Sequence, residues 1–148
     1  MLAPVDGTVV AMSDVPDPVF SQSIVGPGLA IDPPRAPGVL VVAPVAGRIV
    51  KLHPHAAVVQ ADGSRTVLVH LGLDTIELAG AGFELHATEG DDVLAGDRLV
   101  SWDPAAVESG GRSPVCPVVA VQADPAGVRT LVAPGATVRA GEPLLEWG

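Results

Sequence analysis

Three of the four histidines fall within eighteen residues, at His53, His55 and His70. Imidazole has an ordinary pKa near 6.5, so at cellular pH it is mostly neutral and still nucleophilic. In an extended segment side chains alternate with period two, which predicts His53 and His55 on one face of a strand. His70 lies in the next apolar run, Val67-Leu68-Val69-His70-Leu71, and Asp62-Gly63 between the two runs is a hairpin signal. Strands paired through that turn can bring His55 and His70 side by side, with Cβ atoms about 4.5–5.5 Å apart if directly opposite. Two chemistries fit this pattern. His-x-His plus a third His is a zinc-ligand arrangement with an open position for water, as a small hydrolase or lyase would use. Alternatively, one imidazole nitrogen attacks a phosphoryl group while a second histidine steadies the transferred group. Spacing alone leaves both open.

The elements that must hold these rings follow from composition. The chain has 148 residues, about one domain, and is long enough to bury roughly 68–70% of its unfolded surface without a staple. Aromatics are 3% and Tyr is absent, while Val occurs 25 times, so the core is aliphatic and suited to pleated surfaces. Seventeen Gly and 15 Pro are scattered throughout, which argues against a helical bundle. The expected fold is all-β: an antiparallel β-sandwich or barrel with one or two short helices, as a single domain over 1–148. Apolar runs mark strands at 40–42, 49–52, 56–59, 66–71, 99–102, 118–121 and 144–147. The best helix is 104–109, with Asp103 as N-cap, Pro104 at the first helical position and Gly110-Gly111 after it.

Two duplications run through this pattern. Ala3-Pro4-Val5-Asp6-Gly7-Thr8-Val9-Val10 recurs as Ala43-Pro44-Val45-Ala46-Gly47-Arg48-Ile49-Val50, and the segment 90–100 recurs as 135–145. Each copy reads as strand, Gly turn, strand, and two copies of each predict a pseudo-symmetric sandwich or barrel rather than a solenoid. The layout also resembles biotinyl and lipoyl carrier domains. Those present their lysine in a hairpin turn, whereas Lys51, the one lysine here, sits inside an apolar strand.

Eight basic against 17 acidic residues give a net charge of −9, which repels phosphate backbones and excludes non-specific nucleic-acid binding, yet suits a basic protein partner. The lone Cys116 cannot form an internal disulfide. No run approaches the roughly 18 apolar residues of a spanning helix, and no leader opens the chain, so a soluble cytoplasmic protein is expected.

The residues from Asp14 to Phe20, Gly26-Pro27-Gly28 through Pro33, Ala43 through Gly47, His55-Ala56, Val69-His70-Leu71-Gly72-Leu73-Asp74-Thr75-Ile76-Glu77-Leu78 and Gly80 to Phe83 occur in this order. Together they resemble the glucose-type enzyme IIA domain of the bacterial phosphoenolpyruvate-dependent sugar phosphotransferase system. That resemblance implies a β-sandwich phosphocarrier, a phosphotransferase component taking a phosphoryl group from the histidine-containing phosphocarrier protein HPr. The group then passes to a cysteine on the IIB domain of a sugar permease of glucose or N-acetylglucosamine type. It implies His70 as the acceptor through Nε2, His55 as its stabiliser, and the Gly72 carbonyl as the group that orients the acceptor ring. Asp17 and Asp74 match acidic positions that pair with a basic residue of HPr, and Val19, Phe20 and Val25 form an apolar docking patch.

No cofactor or metal is expected; zinc, if present, would sit at His55 and His70, with His53, as an adventitious or partner-shared ion. The expected state is a monomer with no nucleic acid and no stable membrane anchor, since the chain begins at the first strand. A purely regulatory binding module is a third reading of the same fold. One departure from the family resembled stands out: its members usually carry Thr or a similar hydroxyl two residues before the first site histidine, where it orients that ring, and here the position is His53, which can make the same hydrogen bond or add a third metal ligand. Asp74 is also readable as a turn residue, Phe20 as core, Cys116 as packing and His86 as surface.

Overall fold

A computed structural model describes residues 1–148, the side chain of Ser64 excepted. Strands β1 (Gly7–Ala11) and β2 (Gly28–Asp32) flank a four-residue helix, α1 (Pro18–Ser21). Next come β3 (Val39–Val42), β4 (Gly47–His53), β5 (Ala56–Gln60) and β6 (Thr66–His70). Then β7 (Phe83–Leu85), β8 (Asp92–Val93) and β9 (Arg98–Trp102) lead into α2 (Pro104–Ser109). The chain ends through β10 (Cys116–Ala120), β11 (Val128–Thr130), β12 (Thr137–Val138) and β13 (Leu145–Trp147). Eight strands form one sheet in the order β12-β1-β2-β10-β6-β5-β4-β8, while β3-β9-β7 and β11-β13 form two smaller ones. Strand neighbours pair antiparallel throughout, and the helices are short, as the Val, Gly and Pro content predicts.

The duplicated segments pair with each other. Gly7 and Thr8 of β1 face Val138 and Thr137 of β12, and Gly47 and Arg48 of β4 face Val93 and Asp92 of β8 in the same register. The two Ala-Pro-Val stretches meet directly, with Leu2 N donating to Pro44 O and Val42 N to Pro4 O, each at 2.8 Å. A pseudo-twofold arrangement therefore lies in the backbone bonds themselves.

Alternation along β2, β6 and β10 separates two hydrophobic clusters. Leu29, Ile31, Val67, Val69, Cys116 and Val118 point into the main core with Trp102, Leu99 and Ile49. Ala30 and Val119, with Leu68 packed alongside, point the other way and meet Met12, Val15, Phe20 and Leu73 in a smaller cluster. His70 shares the parity of Leu68, so its ring emerges over this second cluster.

Several expected boundaries shift. Asp62-Gly63 forms not a two-residue hairpin but a wider loop, with Gly63 at φ 68° and Ala61 N donating to Arg65 O at 2.7 Å. β10 begins at Cys116 rather than 118 and contains Pro117. Its pairing with β6 starts at Val118 opposite Val69, so Pro117 stands across from His70 and brings no N–H. The helix at Pro104–Ser109 is as expected, with the Asp103 carboxylate accepting from Ala106 N at 3.0 Å. Among the described residues, no helix is long and apolar enough to cross a membrane.

Candidate functional site

His70 is the last residue of β6, held between β5 and β10, and the chain leaves the sheet immediately after it. Leu71 N donates to His55 O at 2.7 Å and Leu73 N to Ser113 O at 2.8 Å, so the departing segment is anchored on both sides. Between them Gly72 takes φ +74°, which turns its carbonyl back toward the ring. A Cβ there would lie 2.7 Å from Thr75 Cγ2 and 3.0 Å from Ser113 O, so glycine is the residue that fits. The His70 Nδ1 to Gly72 O distance is 2.5 Å. A carbonyl oxygen only accepts, so the neutral ring carries its proton on Nδ1 and leaves the Nε2 lone pair free. Burial holds His70 below the ordinary 6.5, against the opposing pull of the Gly72 bond and of the Asp17 and Asp74 carboxylates. Lowering that pKa keeps the ring in its nucleophilic form.

His55 arrives differently from its expected place on a strand. His53 pairs with Ala56 across the β4–β5 hairpin, so Pro54 and His55 are the two residues of the turn. Proline fits the first central position of a turn and cannot continue a central strand, which is why the strand stops at His53. The two rings nevertheless lie on one side, stacked with centroids 5.5 Å apart and planes 16° from parallel. His55 in turn meets His70 edge-on at 5.4 Å and 65°, and His70 meets Phe20 at 5.5 Å. Four rings thus form one row: His53, His55, His70, Phe20. Burial, then the His70 and His53 imidazoles, hold His55 below its ordinary 6.5. Among the described residues no group of three His, Cys, Asp or Glu is spaced to hold a metal ion.

The acidic and apolar residues ring this row. Asp17 caps α1, its carboxylate accepting from Val19 N at 3.0 Å, and it acts on His70 through charge. Asp74 is exposed in the left-handed region (φ 57°) at the start of a short 3-10 turn, Thr75–Leu78. Of the three expected patch residues, Val19 is 44% exposed, whereas Phe20 is buried and Val25 packs against the second cluster. Phe20 therefore serves as floor under the ring more than as a docking surface. Ile24 and Ile76, 59% and 67% exposed, supply apolar surface that sequence reasoning passed over, since an isolated isoleucine reads as core.

Thr75 was also missed as a separate contributor. Among the described residues it is the one buried polar side chain, donating from Oγ1 to Leu71 O at 2.7 Å and so bracing the loop that carries Gly72. The Cys116 thiol is fully buried and pushed up to about 12, so it packs and does not react. His86 is exposed, with Nε2 at 2.6 Å from Ser101 Oγ.

Chemically, the site offers a neutral imidazole with a free lone pair beside a second imidazole. The second ring is close enough to donate to an anionic group held between them. Two carboxylates at the rim would repel an approaching phosphate by itself and favour one delivered by a basic protein surface.

The family model for the phosphoenolpyruvate-dependent sugar phosphotransferase system, EIIA 1, matches residues 1–126. A relative from Halalkalibacterium halodurans, named PTS system glucose-specific EIIA component, is 45% identical over 124 residues, covering 82% of this chain and 70% of that protein. Its namesake from Bacillus cereus is 39% identical over 140 residues, covering 93% and 83% respectively. Among solved structures, glucose permease IIA from Mycoplasma capricolum superposes with a TM-score of 0.85 at 34% identity, covering 97% of this chain and 92% of that one.

Proposed function

The chain belongs to the EIIA 1 family of the phosphoenolpyruvate-dependent sugar phosphotransferase system, and from that premise we propose that His70 Nε2 is the atom that carries the phosphoryl group. As a family member it is a phosphocarrier, a transferase component of that system. The phosphoryl group comes from a histidine of HPr: the donor's N–P bond breaks as a new bond forms to the His70 lone pair. The proton stays on Nδ1, donated to the Gly72 carbonyl throughout, so the step needs no separate base. Onward transfer to a cysteine of a permease IIB domain breaks the His70 Nε2–P bond as an S–P bond forms to the thiolate, and the relatives named for glucose favour a glucose-type permease.

His55 steadies the group by donating to its charge, an interaction typically worth about 1.5–3 kcal/mol when one partner is charged. Asp17 and Asp74 guide a basic docking surface, and Val19 supplies apolar contact. No metal or cofactor is needed for either step, and both partners meet the ring on the same face, which suits a monomer in the cytoplasm. The observation that carries this reading is the Gly72 carbonyl on His70 Nδ1, because it frees the other nitrogen for attack.

Incubation with phosphoenolpyruvate, enzyme I and HPr, followed by intact-mass spectrometry, tests it. The expected result is an acid-labile gain of one phosphoryl group that is absent in His70→Ala. Undiminished labelling of His70→Ala would overturn the assignment.

A further inference from the structure

We propose that Ser101 and His86 form a second nucleophilic centre, apart from the histidine row, that takes the acyl group of a small uncharged ester. Ser101 stands on β9, the middle strand of the three-stranded sheet, opposite Leu40 of β3 on one side and Glu84 of β7 on the other. His86 follows β7 and continues its ladder, its N donating to Leu99 O at 2.8 Å. Alternation puts His86 on the face that carries Glu84, and cross-strand pairing puts Ser101 on that face too. His86 Nε2 accordingly lies 2.6 Å from Ser101 Oγ. A serine hydroxyl is a weak nucleophile by itself, and a base within hydrogen-bond reach is what activates it. The His86 ring is exposed, so water exchanges its proton between the two nitrogens. With that proton on Nδ1, Nε2 accepts from the Ser101 hydroxyl.

The surroundings choose the substrate class. Ser101 lines a cavity of about 180 Å³ together with Phe83 and Trp102, whose rings lie 5.7 Å apart with planes 12° from parallel. Glu84 and Asp103 line the same cavity. An apolar wall takes an acyl chain of a few carbons, whereas two carboxylates repel phosphate and carboxylate groups. The site therefore disfavours a phosphoryl group and suits an ester whose acyl and alcohol halves carry no charge. In the first step Ser101 Oγ bonds to the carbonyl carbon as the bond from that carbon to the leaving oxygen breaks. The serine proton passes to His86 Nε2 and from there to the leaving oxygen, which departs as the alcohol. Water then attacks the serine ester, giving a proton to the same Nε2, which returns it to Ser101 Oγ as the carboxylic acid leaves. Ser101 belongs to the three-stranded sheet and His70 to the eight-stranded one, so the two centres can be inactivated separately.

The test uses p-nitrophenyl butyrate, a small uncharged ester, on the full chain. After brief exposure at neutral pH, peptide mapping by mass spectrometry should place one butyryl group on Ser101, and Ser101→Ala should lack it. Mapping is needed because the other imidazoles and Lys51 also react with activated esters, and their labels fall on other peptides. His86→Gln keeps a hydrogen-bonding side chain at the position but has no basic nitrogen. It should slow acylation of Ser101 by about a hundredfold, the lower end of what a positioned base supplies. Both variants should keep the parental denaturant midpoint and the parental rate of phosphoryl acceptance, which separates loss of the pair from loss of the fold. A parent protein with no butyryl group on Ser101 would overturn the proposal. So would equal acylation of Ser101 in His86→Gln, because the hydroxyl would then be reacting without its base. Labelling of Ser101 is read without phosphate, so it stands or falls independently of the relay.

Discussion

The two copies of the Ala-Pro-Val strand begin alike and end differently. Up to their glycines their backbone bonds to the other repeat match: Ala3 N and Ala43 N donate to Glu142 O and Asp97 O at 2.7 and 2.8 Å, and Gly141 N and Gly96 N donate back to Ala3 O and Ala43 O at 2.8 and 2.9 Å. A few residues later they part. The first copy runs from Ala11 into Asp17 and α1, which bring a carboxylate and Phe20 to one side of His70. The second runs to His53, Pro54 and His55, which bring imidazoles to the other side. Duplication supplied a symmetric frame, and the chemistry occupies the stretches where the copies cease to match. His70 lies outside both copies, on the strand pair that fills the middle of the sheet.

Equivalent positions in the frame should therefore respond equally, and positions in the site should not have a counterpart. The largest expected effects are in the frame. A Cβ on Gly7 would lie 2.2 Å from Asp32 O and on Gly47 2.1 Å from Gln60 O. Gly7→Ala and Gly47→Ala should each cost about 2–3 kcal/mol, read as matched shifts in the denaturant midpoint. One variant tolerated and the other unfolded would break the equivalence.

Thr75→Val is expected to be milder, at about 1–2 kcal/mol, because it leaves the buried Leu71 carbonyl without its donor. Unlike the glycine variants, it should also slow phosphoryl acceptance per folded molecule, as the Gly72 loop loosens. Acceptance at the parental rate would place Thr75 in the frame rather than the site.

The smallest effect separates the regions by pH. The folded pKa of His70 is lowered, so the unfolded chain takes up the proton first. The corresponding stability is whole above about 6.5 and is lost as pH falls through the folded value. Denaturation at pH 7.5 and 5.5 should show a larger drop for the parent than for His70→Leu. Equal drops would mean that the ring contributes nothing to the pH response. Gly7→Ala and Gly47→Ala should lower both values without altering the slope.

Much of the frame was legible because it rests on local signals. Asp103-Pro104 marked a helix start, and the repeated glycines marked repeated turns. His70 and His55 were legible as a pair because polar rings on apolar runs demand a reason. What alternation could not show was that Pro54 ends the strand and moves His55 into the turn, although the proline was in view. Nor could it separate Phe20 from Val19: adjacent residues on a helix point about 100° apart, and which of them turns inward depends on a cluster assembled from β2, β6 and β10. The stacking of His53 on His55 is likewise a consequence of turn geometry that residue types alone do not specify.

Free imidazole offers two nitrogens of nearly equal reactivity, and a phosphoryl donor in solution yields a mixture of regioisomers. The carbonyl of Gly72 removes that choice, since a ring bound through Nδ1 can be derivatised only at Nε2. The selector is main chain, so a substitution among the surrounding side chains removes none of its atoms, and one that loosens the loop, as at Thr75, weakens only its hold. Position 72 is where the selection can be lost, because a side chain there would collide with Thr75 and Ser113 and turn the carbonyl aside.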